Sequence, residues 1–192
     1  MSQRKTGEEK ALQELAKFQS SRDFTHGLKA AEQLLKKEPK CSEALAYKAY
    51  FTYLKDKGKK EECIKMAREA NRLNMSSPTT WKICGTLYKE QSNFLQFYQS
   101  YKMAYLKDPN DLQTLSELCN LHFFFGNYED FFSSTYALMQ KNKNVYGVMR
   151  FILSLYFTER YSECEKALST FQTSWSPTDN EDELIFRSEY CL

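Results

Sequence analysis

The chain has 192 residues, of which 42% are hydrophobic and 27% charged, and its net charge is only +2. Six Gly and four Pro are too few for a loop-rich or all-β chain. No apolar run reaches the ~18 residues of a membrane-span candidate. Residues 1–10 are polar and carry no apolar segment of the secretory type, so they read as a disordered lead-in. A first helix is expected over residues 11–18, where Leu12, Leu15 and Phe18 share a face. A second carries Phe24, Gly27, Ala31 and Leu34 and ends near Pro39. The third, around residues 45–54, runs about two residues past the pattern of its counterparts. Gly58 then marks a turn, and Cys63, Ala67 and Ala70 line the next helix.

Residues 76–111 carry the sharpest pattern. Trp81, Cys84, Gly85 and Tyr88 lie at i, i+3, i+4 and i+7, one face of a helix. Phe97, Tyr101 and Ala104 form the matching face of a second helix, with Ser92-Asn93 as the turn between them. Asp108-Pro109 ends the unit, because Pro cannot continue a helix and restricts the residue before it. This is the tetratricopeptide (TPR) signature W-x2-L-G-x2-Y, with Cys84 in the Leu slot, in a helix–turn–helix unit of about 34 residues. Trp81, Gly85, Tyr88, Tyr101, Ala104 and Pro109 are its structural residues.

The same frame continues through Leu115, Leu118, Cys119, His122, Gly126, Tyr128 and Phe131. It returns at Val148, Phe151, Ile152, Leu155, Tyr161, Cys164, Leu168 and Phe171. The repeats fall at about residues 8–41, 43–76, 78–109, 112–143 and 145–176, with residues 181–192 as a half repeat. One such unit cannot bury its own apolar face and must stack on neighbours. The expected fold is therefore all-α: TPR-type helical hairpins, about eleven helices, stacked in a right-handed superhelix that forms a single solenoid over residues 11–192. The half repeat presents Leu184, Ile185, Tyr190 and Leu192 without a second helix. It is either the opening of a further unit in a longer superhelix or, given its acidic residues 179–183, a cap.

Catalytic chemistry has no candidate. The six Gly are isolated and none belongs to a phosphate-binding loop, and no Ser sits in a nucleophile elbow. His26 and His122 stand alone as packing or surface residues. Cys41, Cys63, Cys84, Cys119, Cys164 and Cys191 form no C-x2-C pair, which excludes the usual zinc spacing. Most replace the small or apolar residues of the repeat, so they are read as packing thiols in a reducing, cytoplasmic setting. No cofactor or metal is expected. A carboxylate clamp for peptide C-termini is also incomplete: Lys82 holds one required position, but Thr86 and Glu117 stand where amides are needed.

Charge is polarised. Residues 1–109 hold 21 Lys/Arg against 13 Asp/Glu, and residues 110–192 hold 6 against 12. Lys36, Lys37 and Lys40 cluster at one turn, and Lys55, Lys57, Lys59 and Lys60 at the next. If successive turns align, the two clusters make one basic ridge suited to a nucleic-acid backbone; the other reading is a solvated surface, with Glu61 and Glu62 partly neutralising the second cluster.

The text between the repeats also resembles a known family. The residues that carry the resemblance are Gly27-Leu28-Lys29 before Leu34-Leu35, then Gly58-Lys59-Lys60-Glu61-Glu62. They continue through Trp81 to Gly85 and Asn110-Asp111-Leu112-Gln113-Thr114-Leu115, then Leu118, Leu121, Arg160-Tyr161 and Glu183-Leu184. Over about residues 10–192 the chain is similar to the N-terminal region of the auxiliary, ribosome-anchoring subunit of the N-terminal acetyltransferase A complex. The B-type auxiliary subunit is a close alternative. The resemblance implies a non-catalytic TPR scaffold with a catalytic acetyltransferase subunit as partner. It also implies ribosome contact through positions including Lys36, Lys37, Lys59 and Lys60, later TPR repeats in the same parent chain, and no membrane. The longer second repeat and several Cys and Tyr replacements depart from the family pattern. A generic TPR adaptor, of co-chaperone type without an acetyltransferase partner, is the other reading.

Overall fold

The computed structural model describes residues 2–141 and 145–174. Among them are ten α-helices: α1 (Ser2–Ser21), α2 (Phe24–Lys37), α3 (Ser42–Lys55), α4 (Lys60–Leu73), α5 (Pro78–Glu90), α6 (Phe94–Lys107), α7 (Leu112–Phe124), α8 (Tyr128–Lys141), α9 (Val145–Phe157) and α10 (Tyr161–Ser174). The described residues contain no strand. The chain is therefore an all-α TPR repeat fold. The expected eleventh helix, over residues 181–192, lies outside the described residues. The frames read from the sequence run as one solenoid, whereas contacts group the chain into two compact units, Met1–Leu118 and Cys119–Leu192.

The N-terminus differs from expectation. Residues 2–10 are not a disordered lead-in but the opening half of α1. Lys, Glu and Gln in this stretch are good helix formers. From Gly7 onward the helix lies along α2, with Glu8, Ala11 and Glu14 facing Ala30, Gln33 and Leu34. Polarity alone could not reveal this tertiary support.

Each hairpin turn has its own local chemistry. Arg22, Ser92, Gly126 and Glu159 adopt left-handed φ values of 56°, 56°, 70° and 59° and reverse the chain between paired helices. The following helix begins two residues later. Asp23 accepts from the His26 amide and Asn93 from the Gln96 amide, each satisfying an orphan donor at the helix start. The second repeat breaks this rule. Its turn is a 3-10 segment, Lys57–Lys59, capped by Asp56 accepting from the Gly58 amide at 3.0 Å. Its helix α3 has 14 residues against 13 in α5. The extra length expected in the helix therefore sits largely in the connection.

Glycine permits the tightest packing in the first unit. At Gly27 a Cβ would lie 2.6 Å from Cζ of Phe51, whose ring is fully buried between α2 and α3. At Gly85 it would lie 2.6 Å from the Tyr101 ring. Polar bonds then fix α5 against α3: Ser77 donates to Glu43 at 2.6 Å, and Thr80 donates to the Ser42 hydroxyl at 3.3 Å. In the second unit Ile152, Leu155 and Cys164 form a core, flanked by Phe132, Phe151, Leu168 and Phe171. A buried Thr135–Ser154 hydroxyl bond of 2.9 Å ties α8 to α9.

Candidate functional site

The first helices of successive repeats, α1, α3, α5 and α7, open onto a common groove in the first unit. It has a volume of about 560 Å³ and is lined by Gln19, Tyr47, Lys82, Thr86, Lys89 and Glu117, with Tyr101 reaching in from α6. Helical spacing puts Lys82, Thr86 and Lys89 on one face of α5, at i, i+4 and i+7.

Each lysine in this groove meets an acid from α7. Lys82 Nζ lies 2.6 Å from Asp111 Oδ2, and Lys89 Nζ lies 3.3 Å from Glu117 Oε1. Asp111 also caps α7, accepting from the amides of Gln113 and Thr114 and from the Thr114 hydroxyl. Burial pushes the Asp111 carboxyl up, but its bonds to Lys82 and Thr114 outweigh that and hold it below its ordinary value. Burial also raises the Tyr101 phenol, which pairs with the Thr86 hydroxyl at 3.3 Å. Lys82 and Glu117 thus serve two different ion pairs across the α5–α7 contact. With its cations already matched, the groove offers a polar, nearly neutral surface in place of a carboxylate clamp.

The sequence predicts the clamp's failure from residue types alone. It does not pair Lys82 with Asp111 or Lys89 with Glu117. The only signal was the seven-residue lysine spacing, which helices use for many purposes.

The basic clusters are separated. Lys36 and Lys37 end α2, and Lys40 lies in the turn to α3. Lys55 ends α3, Lys57 and Lys59 lie in the 3-10 turn, and Lys60 opens α4. All seven are exposed. They flank opposite ends of α3, whose 14 residues span about 20 Å. The single ridge is therefore replaced by two patches, because consecutive turns of antiparallel helices alternate between the two edges of the stack. Lys36, Lys37 and Lys55 each lie in a last helical turn, where a cation also favours the helix dipole.

The signature residues take structural positions. Tyr88 and Ala104 are buried, Tyr101 fills the space over Gly85, and Pro109 lies exposed between α6 and α7. Trp81 is only half-buried, not enclosed between helices as its place in the repeat suggests. Its indole N–H donates to the Met75 carbonyl at 3.0 Å, and its ring lines a groove between α4 and α6.

The histidines and thiols have local roles. His26 Nδ1 lies 2.8 Å from Asp23 at an exposed helix start. His122 is buried, 3.9 Å from Asp130. The five described cysteines are unpaired and buried, and burial raises the Cys84 thiol to about 12. Cys191 lies outside the described residues. Among those residues no group of His, Cys, Asp and Glu could hold a metal ion, and no helix is long and apolar enough to cross a membrane.

Comparison with known proteins extends this description. The profile of the Psidin N-terminal TPR repeats region matches residues 9–180. The N-terminal acetyltransferase A complex auxiliary subunit NAA15 of Arabidopsis thaliana is 24% identical over 93% of this chain and 20% of its own length. The human N-alpha-acetyltransferase 16, NatA auxiliary subunit, is 26% identical over 69% of this chain and 15% of its own. A solved structure of Naa15/Naa10 bound to HypK-THB contains a chain that superposes with a TM-score of 0.77 at 25% identity. That match covers 92% of this chain and 27% of the other. The matched part of the chain thus spans only 15–20% of the length of these curated relatives.

Proposed function

The chain belongs to the family of Psidin N-terminal TPR-repeat regions, and on that premise we propose that it is the N-terminal part of a non-catalytic auxiliary subunit of an N-terminal acetyltransferase complex. In this reading the repeats form a cytoplasmic scaffold, continued by later TPR repeats of the parent chain. The parent binds a small catalytic acetyltransferase and docks it at the ribosome. The observation that carries the proposal is the superposition of 92% of the chain on a chain of the Naa15/Naa10 structure, at an identity close to that of the curated auxiliary subunits.

Ribosome contact is assigned to two exposed patches: Lys36, Lys37 and Lys40 at one end of α3, and Lys55, Lys57, Lys59 and Lys60 at the other. Lysines of this kind bind RNA phosphates by releasing counterions, so binding should weaken steeply with salt. Two patches about 20 Å apart would address two phosphate tracks rather than one continuous ridge.

The test uses the parent protein. Affinity purification should recover a small acetyltransferase, and co-sedimentation should recover ribosomes at low salt. Charge reversal of each lysine patch separately should reduce ribosome binding while helix content is retained. Recovery of the enzyme with ribosome binding unchanged by both reversals would confine the function to scaffolding. Recovery of neither partner would favour a generic TPR adaptor, a reading that the 560 Å³ groove of matched charges also fits.

A further inference from the structure

A second groove lies between α4 and α6, away from the lysine patches and from the α1–α7 groove. Its volume is about 390 Å³. Arg68 and Arg72 stand on the α4 wall one helical turn apart, and both are exposed. Gln96 and Gln99 stand on the α6 wall, with a 3.0 Å bond between their side chains. Met75, Trp81 and Met103 supply apolar surface between the walls.

Two features make this groove selective. Its lining contains two guanidinium groups and no carboxylate. Glu69, 3.9 Å from Arg72, lines an adjoining depression that both arginines share, with Leu45, Lys65 and Met66. Trp81 is held in orientation by its bond to the Met75 carbonyl, so its ring is a preformed wall rather than a mobile one.

We infer that this groove docks an acidic, apolar peptide segment of a partner protein. The arginines would receive Asp or Glu side chains, Met75, Trp81 and Met103 an apolar side chain, and the amide groups the peptide backbone. Trp and Arg are the residues that dominate interface energetics, and Met adapts its shape to varied apolar partners. A polynucleotide is a poorer fit. Much of the Trp81 ring is already covered, and the cations stand at one wall instead of tracking a phosphate backbone. This inference does not depend on the acetyltransferase reading.

The experiment measures fluorescence anisotropy of a fluorescein-labelled peptide in which Glu alternates with Leu and Phe, titrated with the full chain. The expected result is saturable binding that Arg68→Glu/Arg72→Glu weakens ~10-fold or more. Lys17→Glu/Lys29→Glu, an equal charge change at exposed positions of α1 and α2, should leave it unchanged. Circular dichroism verifies that both variants keep their helix content. Equal loss in both variants would reduce the effect to overall charge and overturn the proposal. So would absence of saturable binding, or displacement of the peptide by a single-stranded RNA oligonucleotide that itself loses affinity on the arginine reversal.

Discussion

Replacing Gly27 by Ala sets two effects against each other. Gly27 lies inside α2, where helix propensity alone favours Ala by about 1 kcal/mol. Against this, the new methyl carbon would stand 2.6, 2.7 and 2.9 Å from three ring carbons of Phe51. Carbon atoms in optimal contact sit ~3.5–4.0 Å apart, so the ring or the helix must retreat by about 1 Å. Phe51 has little room to do so. It is fully buried and lies beside Tyr47 and Tyr50, with ring centroids 5.8 and 5.5 Å away.

Overpacking of this kind costs roughly 1–3 kcal/mol, and more where a rigid ring blocks relaxation. The contact should therefore win, leaving Gly27→Ala destabilised by about 1–2 kcal/mol. Urea unfolding followed by circular dichroism measures this directly, and each kcal/mol lost should lower Tm by roughly 2–4 °C. Phe51→Leu should cost at least ~0.5 kcal/mol less in the Gly27→Ala background than alone, because it removes the clashing ring. A neutral or stabilised Gly27→Ala variant, or additive behaviour in the pair, would refute the argument that Gly27 is present for close approach.

Two further outcomes test the ion pair and the thiols. Asp111→Ala should cost about 1–2 kcal/mol, since it removes the α7 cap and the Lys82 partner together. Folding lowers the Asp111 pKa below its ordinary 3.8. Its contribution is therefore complete above that value and lost as pH falls through the folded pKa, so the wild-type advantage over Asp111→Ala should shrink in acid below about pH 4. The five buried thiols should resist iodoacetamide at pH 8 until urea is added. Burial raises Cys41, Cys63 and Cys119 to about 11 and Cys84 to about 12, so little thiolate forms. Rapid modification of the folded chain would show that these sites open readily.

The helical repeat was legible in the sequence because its determinants are local and periodic. Trp81, Gly85, Tyr88 and Ala104 mark helix faces at fixed spacing, and Asn93 and Pro109 mark where helices turn. The missing amides at Thr86 and Glu117 were equally readable, since a clamp depends on residue types at known positions. What tertiary structure decided is of another kind. Residues 7–10 look like part of a tail until α2 is seen beside α1. Lys36 and Lys59 look like neighbours in a ridge until α3 is seen between them. Arg68 and Arg72 are exposed charges whose place on a groove wall appears only when α6 brings Gln96, Gln99 and Met103 opposite. Local propensity and periodicity act over a few residues, whereas these outcomes depend on which element lies across the gap. That depends on packing, and packing joins residues far apart in the chain.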